Sequence, residues 1–285
     1  MMDLGKTYFT SRDTDFPAEI RELNETEARE IKDAYTVLHK FDYFLRRFTE
    51  VELNRDDYFR TIDRYALIFK DDRTGKPAGY DYKRLAFIDI NRAFINLISS
   101  FKSFIEHILN YLEQLYGSSS SQYLEIKKLS SSLYDGYLSY KLLIRLRDFA
   151  IHAQYPIQSV HFDREHDGKG GFNYKVNVQF NKSVFLDNKT LRKKLGSDLN
   201  SYGELFDVEP FINELMTLLK RFFEAFIKVD KKSFLPSAEL IKKLSEEAKT
   251  ENIGVTILEM DGAYLKHNTK IIPVKMGKDF YEALE

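Results

Sequence analysis

The sequence predicts a mainly α fold: a helical bundle with an attached β-hairpin and a small C-terminal β unit. Three observations carry this. Apolar residues recur at helical spacing through much of 25–157. Apolar and polar residues then alternate strictly over 172–180. Two short apolar runs flank Asp261-Gly262, a hairpin signal. The organisation reads as an irregular lead-in at 1–23, a bundle at 24–230 with its hairpin at 159–181, and a small α/β appendage at 231–285.

The bundle starts with a helix at 25–50, capped by Thr26 or Asn24. Glu25, Glu27 and Glu30 complement the positive end of its dipole. Ile31, Tyr35, Leu38, Phe41, Leu45 and Phe48 form its apolar row. A second helix follows near 54–69. Residues 71–81 read as a loop, because its Gly-Lys pair lacks the spacing of a phosphate-binding loop. The clearest period runs over 83–116, where Phe87, Ile90, Phe94, Leu97, Phe101 and Phe104 step by three and four. A second apolar row beside it makes a wide face, as expected of a central bundle helix. Gly117 and Ser118 to Ser121 predict a flexible turn. A helix at about 133–154 then packs back on 83–116 and ends before Pro156. After the hairpin come a helix at 208–228 and a short one beyond Pro236.

Composition narrows the function classes. The chain has 285 residues, 43 basic and 44 acidic, for a formal charge of −1. Its 23 Phe and 18 Tyr exclude a mostly disordered chain. The absence of cysteine excludes a disulfide scaffold, a thiolate zinc site, an iron–sulfur cluster and a cysteine nucleophile, and fits a cytoplasmic location. The first residues show no leader pattern. The apolar-rich region 85–115 is interrupted by Asp89, Arg92, Lys102 and Glu106, so no membrane partner is expected. Charge is uneven: residues 1–66 hold 11 basic and 15 acidic side chains, residues 141–200 hold 11 basic and 6 acidic.

That basic stretch contains the candidate site. Arg145, Arg147, Asp148 and His152 lie within eight residues. On a helix Arg145, Asp148 and His152 share one face, and Asp148 and His152 are i, i+4 neighbours able to pair. Arg147 points about 140° away from His152 on an ideal helix. Arginine suits phosphate and histidine titrates near neutrality. The set therefore suits metal-free phosphodiester cleavage, with a twofold dimer supplying a second histidine. An Arg–Asp pair on a bundle surface equally needs no function. Lys189, Arg192, Lys193 and Lys194 form a basic cluster that reads either as a phosphate-tracking surface or as a solvated helix face. His161, Asp163 and Glu165 are metal-capable, but they lack a partner cluster and read as a solvated edge strand.

Arg147 through His152 resembles the R-x4-H motif of the HEPN superfamily, with Asp148 in place of a polar residue that is more often Asn. The long helix before it and the following Gln154-Tyr155-Pro156-Ile157 are similar in context. The resemblance covers about 83–157. It implies a HEPN-like bundle and a homodimeric, metal-independent endoribonuclease of a bacterial abortive-infection, antiviral-defence or toxin–antitoxin system. It assigns Arg147 and His152 as the catalytic pair with Asp148 beside them. Arg145, Tyr155, Lys189, Arg192, Lys193 and Lys194 are the RNA-binding candidates. No cofactor or metal is implied; the partners are RNA, a second copy, and an antitoxin or other defence protein. The alternative is a HEPN-like module that binds RNA, nucleotide or protein without cutting.

Overall fold

A computed structural model of the chain describes residues 6–11, 18–71, 80–166, 172–248, 252–261 and 264–273. The loop expected around 72–79, the hairpin connection 167–171 and the turn at Gly262 lie outside them. The fold is mainly helical with two small antiparallel sheets. No helix among the described residues is long and apolar enough to cross a membrane.

The chain divides into two compact units, residues 1–46 with 224–285, and residues 47–223. In the first, β1 (Thr7–Ser11) and β2 (Ala18–Leu23) pair antiparallel. This corrects the reading of 1–23 as irregular: Tyr8, Phe9 and Thr10 are buried, and β1 has strand neighbours on both sides. Helix α1 (Glu25–Asp71) follows. Asn24, not Thr26, caps it. The Asn24 Oδ1 accepts from Glu27 N at 2.9 Å, and Glu27 returns a bond to Asn24 N, a capping box.

Two helices were expected over 25–69, and one is present. The linking Val51-Glu52-Leu53-Asn54 contains no glycine or proline, and the buried row continues from Phe44 through Val51 to Tyr58.

The second unit contains α2 (Tyr80–Tyr116), α3 (Ser121–Gly136) and α4 (Leu138–His152), which pack on one another. Helix α3 was not anticipated, and it separates α2 from α4 in the chain. The serine run is an N-cap rather than a flexible turn. Gly117 takes φ 86°, which glycine adopts without steric cost, and the Ser120 hydroxyl accepts from Tyr123 N. The break between α3 and α4 falls at Tyr137, in extended conformation after Gly136. Burial pushes the Tyr140 hydroxyl up to about 12 despite its bond with Ser130, and that bond ties α3 to α4.

The hairpin forms as predicted. Strand β3 (Ser159–His166) pairs along its whole length with residues 172–179 of β4 (Phe172–Asn181), and β5 (Leu205–Asp207) pairs with the end of β4. Between β4 and β5 lie α5 (Lys182–Asp187) and α6 (Lys189–Leu195). Phe180 is fully buried, with Phe94, Phe185, Phe206 and Phe211 rings at 5.5–5.9 Å.

Helix α7 (Glu209–Ala248) runs through Pro236, where a break was expected. Proline there removes one backbone hydrogen bond, but it does so on the exposed side of the helix, where Pro236 and Lys232 both lie. Phe226, Phe234, Ala238 and Ile241 continue one buried stripe past it. Strands β6 (Asn252–Asp261) and β7 (Tyr264–Pro273) form the predicted C-terminal hairpin. Their sheet has the order β2-β1-β6-β7, so the β unit draws strands from both ends of the chain.

Phe180→Ala is expected to destabilise the protein by about 3–5 kcal/mol, because the cavity opens among four rings that cannot collapse into it. Urea unfolding measures this; a loss under 1 kcal/mol would show that the cluster is not structural.

Candidate active site

The candidate residues sit on the last two turns of α4, which the core fixes in place. Leu142, Leu143 and Leu146 are buried, and the Phe149 ring meets Phe185 edge-on at 5.9 Å. The Phe149 carbonyl then accepts from both Ala153 N and Gln154 N, at 2.8 and 3.3 Å, closing the helix. Beyond the end, buried Asn91 of α2 clamps the chain. Its Nδ2 donates to the Ile157 carbonyl and its Oδ1 accepts from Ile157 N, both at 3.0 Å. In the sequence this clamp shows only as an Asn at position 91, between the apolar Ile90 and Phe94.

Arg145, Asp148 and His152 line one cleft of about 180 Å³ with Asn188, Thr190 and Leu191 of the α5–α6 region. The predicted shared face is therefore present. The predicted Asp148–His152 pair is not. Asp148 Oδ1 instead accepts from Lys102 Nζ at 3.0 Å and from Arg147 Nη1 at 3.3 Å. Burial raises the carboxyl's proton affinity, but these two cations outweigh it and hold Asp148 below the usual carboxylate range. Lys102 belongs to α2, where the sequence shows it only as a break in an apolar run. Its i, i+4 relation to Glu106 marks it as the polar edge of that helix.

His152 is exposed and makes no hydrogen bond or ion pair with a described residue. Arg147 does not line the cleft. Its Nη1 reaches Asp148, while its buried Nε has no partner. Arg145 is held by Tyr134 of α3, through a 2.7 Å bond from Nε to the hydroxyl and the ring face 5.3 Å away.

The basic cluster lies on α6. Asn188 caps that helix by accepting from Thr190 N and Leu191 N at 3.1 Å. Leu191 and Leu195 are buried. Lys189, Arg192, Lys193 and Lys194 are exposed and unpaired among the described residues, on the helix whose Thr190 and Leu191 line the cleft. Tyr155 is not part of the cleft. Its exposed ring packs edge-on against Phe87, which lines a different groove.

His161, Asp163 and Glu165 are exposed on β3, an edge strand, and Asp163 accepts a hydrogen bond from Asn177. No three metal-capable side chains among the described residues are grouped to hold an ion.

The arrangement can do two things chemically. The solvent-facing imidazole of His152 is open to contact with a molecule in the cleft, and the guanidinium of Arg147 is held by a single long bond that an incoming anion can replace. The chain matches no family model, no curated protein and no solved structure.

The Asp148 pairing is testable by pH. A carboxyl held below its ordinary value stabilises the fold fully above that value and loses its contribution as pH falls through the lowered one. Asp148→Asn is expected to melt below the wild type at pH 7, with the difference closing below about pH 4. A difference constant from pH 7 to pH 3 would refute the pairing. Asn91→Ala, which orphans both polar groups of Ile157, is expected to cost about 2 kcal/mol or more in urea unfolding.

Proposed function

We propose that this chain is a HEPN-type, metal-independent endoribonuclease of a bacterial defence or toxin–antitoxin system, acting in the cytoplasm as a homodimer. One observation carries the reading: the exposed, unpaired His152 shares a cleft with Arg145 and Asp148, and Arg147 reaches that same Asp148. The unpaired cations of α6 support RNA as the substrate, since exposed Lys and Arg that are not spent on neighbours track a phosphate backbone.

The chemistry needs no cofactor. The imidazole of His152 takes the proton of an RNA 2′-hydroxyl. The 2′-oxygen then bonds to the adjacent phosphorus, and the bond from phosphorus to the 5′-oxygen breaks. The leaving oxygen takes its proton from the imidazolium of a second copy. The products are a 2′,3′-cyclic phosphate and a 5′-hydroxyl. The Arg147 guanidinium stabilises the charge that builds on the phosphoryl oxygens. To do so it leaves Asp148, and the shorter bond from Lys102 keeps that carboxylate paired.

A second reading has its own observation. Asp148 neutralises charge on both Lys102 and Arg147, which reduces the cations free to act at the cleft. This favours a HEPN-like module that binds RNA, nucleotide or a partner protein such as an antitoxin without cutting.

Purified protein incubated with single-stranded RNA in EDTA is expected to release fragments ending in a cyclic phosphate. His152→Ala and Arg147→Ala should each slow this by about 100-fold or more. A 2′-deoxy substitution at the cut site should abolish it, because the attacking oxygen is gone. Cleavage unchanged in both variants would sink the enzyme reading; salt-dependent RNA binding without turnover would establish the binding module.

A further inference from the structure

A second groove lies in the same compact unit, between the first turns of α2 and the start of β3. It measures about 620 Å³, within the range of small-molecule sites. From α2 it is lined by Lys83, Arg84 and Phe87; from the sheet side by Ser159, His161 and Asn181. Lys83 and Arg84 stand four and three residues before Phe87, so each neighbours Phe87 on the helix surface. Ser159 and His161 alternate with Val160 and lie on one face of β3.

Three features of this groove need a ligand to make sense together. First, Lys83, Arg84 and His161 are exposed and pair with no described residue, and no acidic side chain among the described residues lines the groove. Other cations of this unit do have partners, as Arg64 and Arg92 have Asp89 and Lys141 has Asp198. Second, Ser159 is 8 % exposed, yet its hydroxyl has no hydrogen-bond partner. A buried hydroxyl left unmatched is costly unless something completes it. Third, the remaining wall is apolar, made by Phe87, Val160 and Leu205. Leu205 remains 41 % exposed, and Tyr155 extends the aromatic surface behind Phe87.

The groove is also built rather than incidental. Gln158 donates to the Tyr155 carbonyl at 2.7 Å and accepts from Asn181 N at 3.4 Å, while Asn91 holds Ile157. That leaves the Asn181 side-chain amide free to donate, because its Oδ1 is taken by Ser183 and Val184.

Unmatched cations beside hydroxyl and amide donors select an anion. An apolar, partly aromatic wall selects a flat apolar body attached to it. A groove of this size is far larger than one phosphate ion. We propose that this groove is a binding site for a nucleoside phosphate, with the phosphate on Lys83, Arg84 and His161 and the base against Phe87. The same chemistry is offered by a free nucleotide and by the phosphorylated end of an RNA strand. The site is distinct from the cleft at His152, although six residues of chain, at most about 22 Å fully extended, join His152 to Gln158.

The test is a titration of the full chain by calorimetry with three probes: ATP, a 5′-phosphorylated tetraribonucleotide, and inorganic phosphate. The readout is binding alone, so it stands whether or not the chain cuts RNA. ATP or the tetranucleotide is expected to bind at least tenfold tighter than phosphate, and the tighter of the two identifies the source. Arg84→Ala and His161→Ala, both at exposed positions, should each weaken binding about tenfold or more. Ser159→Ala should weaken it too while leaving the melting temperature equal or higher, because the hydroxyl it removes has no partner to lose. Absence of binding by both nucleotide probes would overturn the site. So would affinities indifferent to Arg84→Ala and His161→Ala, or phosphate binding as tightly as the nucleotides.

Discussion

The aromatic cluster around Phe180 is the constraint on which the second unit depends. Phe180 comes from β4, Phe94 from α2, Phe185 from α5, Phe206 from β5 and Phe211 from α7. Five elements thus meet at one side chain with no solvent exposure. Burying such rings is strongly favourable, and edge-on geometry adds about 0.5–1.5 kcal/mol per pair. Phe185 then passes the constraint to Phe149, and so to the last turn of α4. The position of His152 follows from a hydrophobic contact, not from any polar bond of its own.

Polar contacts refine what the rings set. Asn91 replaces the backbone partners that Ile157 would have in a regular element, so the chain can leave α4 sharply and still have its amide and carbonyl satisfied. This single side chain orients both exits from the helix: the end that carries His152 and the segment that walls the larger groove. The charged contacts are of a different kind. Lys102, Arg147 and Asp148 are partly exposed, so their mutual attraction is screened and adds modestly to stability. Their effect is on availability. Asp148 decides how much positive charge the α4 terminus shows to an anion.

The two grooves differ in charge and in lining. The cleft at His152 is small, contains a carboxylate, and lies on the helix that bears the α6 cations. The other is larger and lacks an acidic group among its described residues, and aromatic and aliphatic side chains form much of its wall. Tyr155, which sequence placed with the cleft, belongs with the second because its ring finds Phe87.

Much of this was legible in the sequence. Periodicity alone determined that 83–116 is a central helix, that 159–181 is a hairpin, and that Arg145, Asp148 and His152 share a face, because these depend on spacing within one element. Sequence also carried the candidate motif, but not its company. The tertiary structure decided that Asp148 pairs with Lys102 rather than with His152, because Lys102 lies forty-six positions away and a cation brought across two packed helices competes for the same oxygen. It decided that 25–71 and 209–248 are each continuous, because long buried stripes outweigh weak local boundary signals such as Pro236. It decided that 7–11 and 18–23 are strands, because 7–11 is flanked by the distant 252–261 and in turn supplies the hydrogen bonds of 18–23.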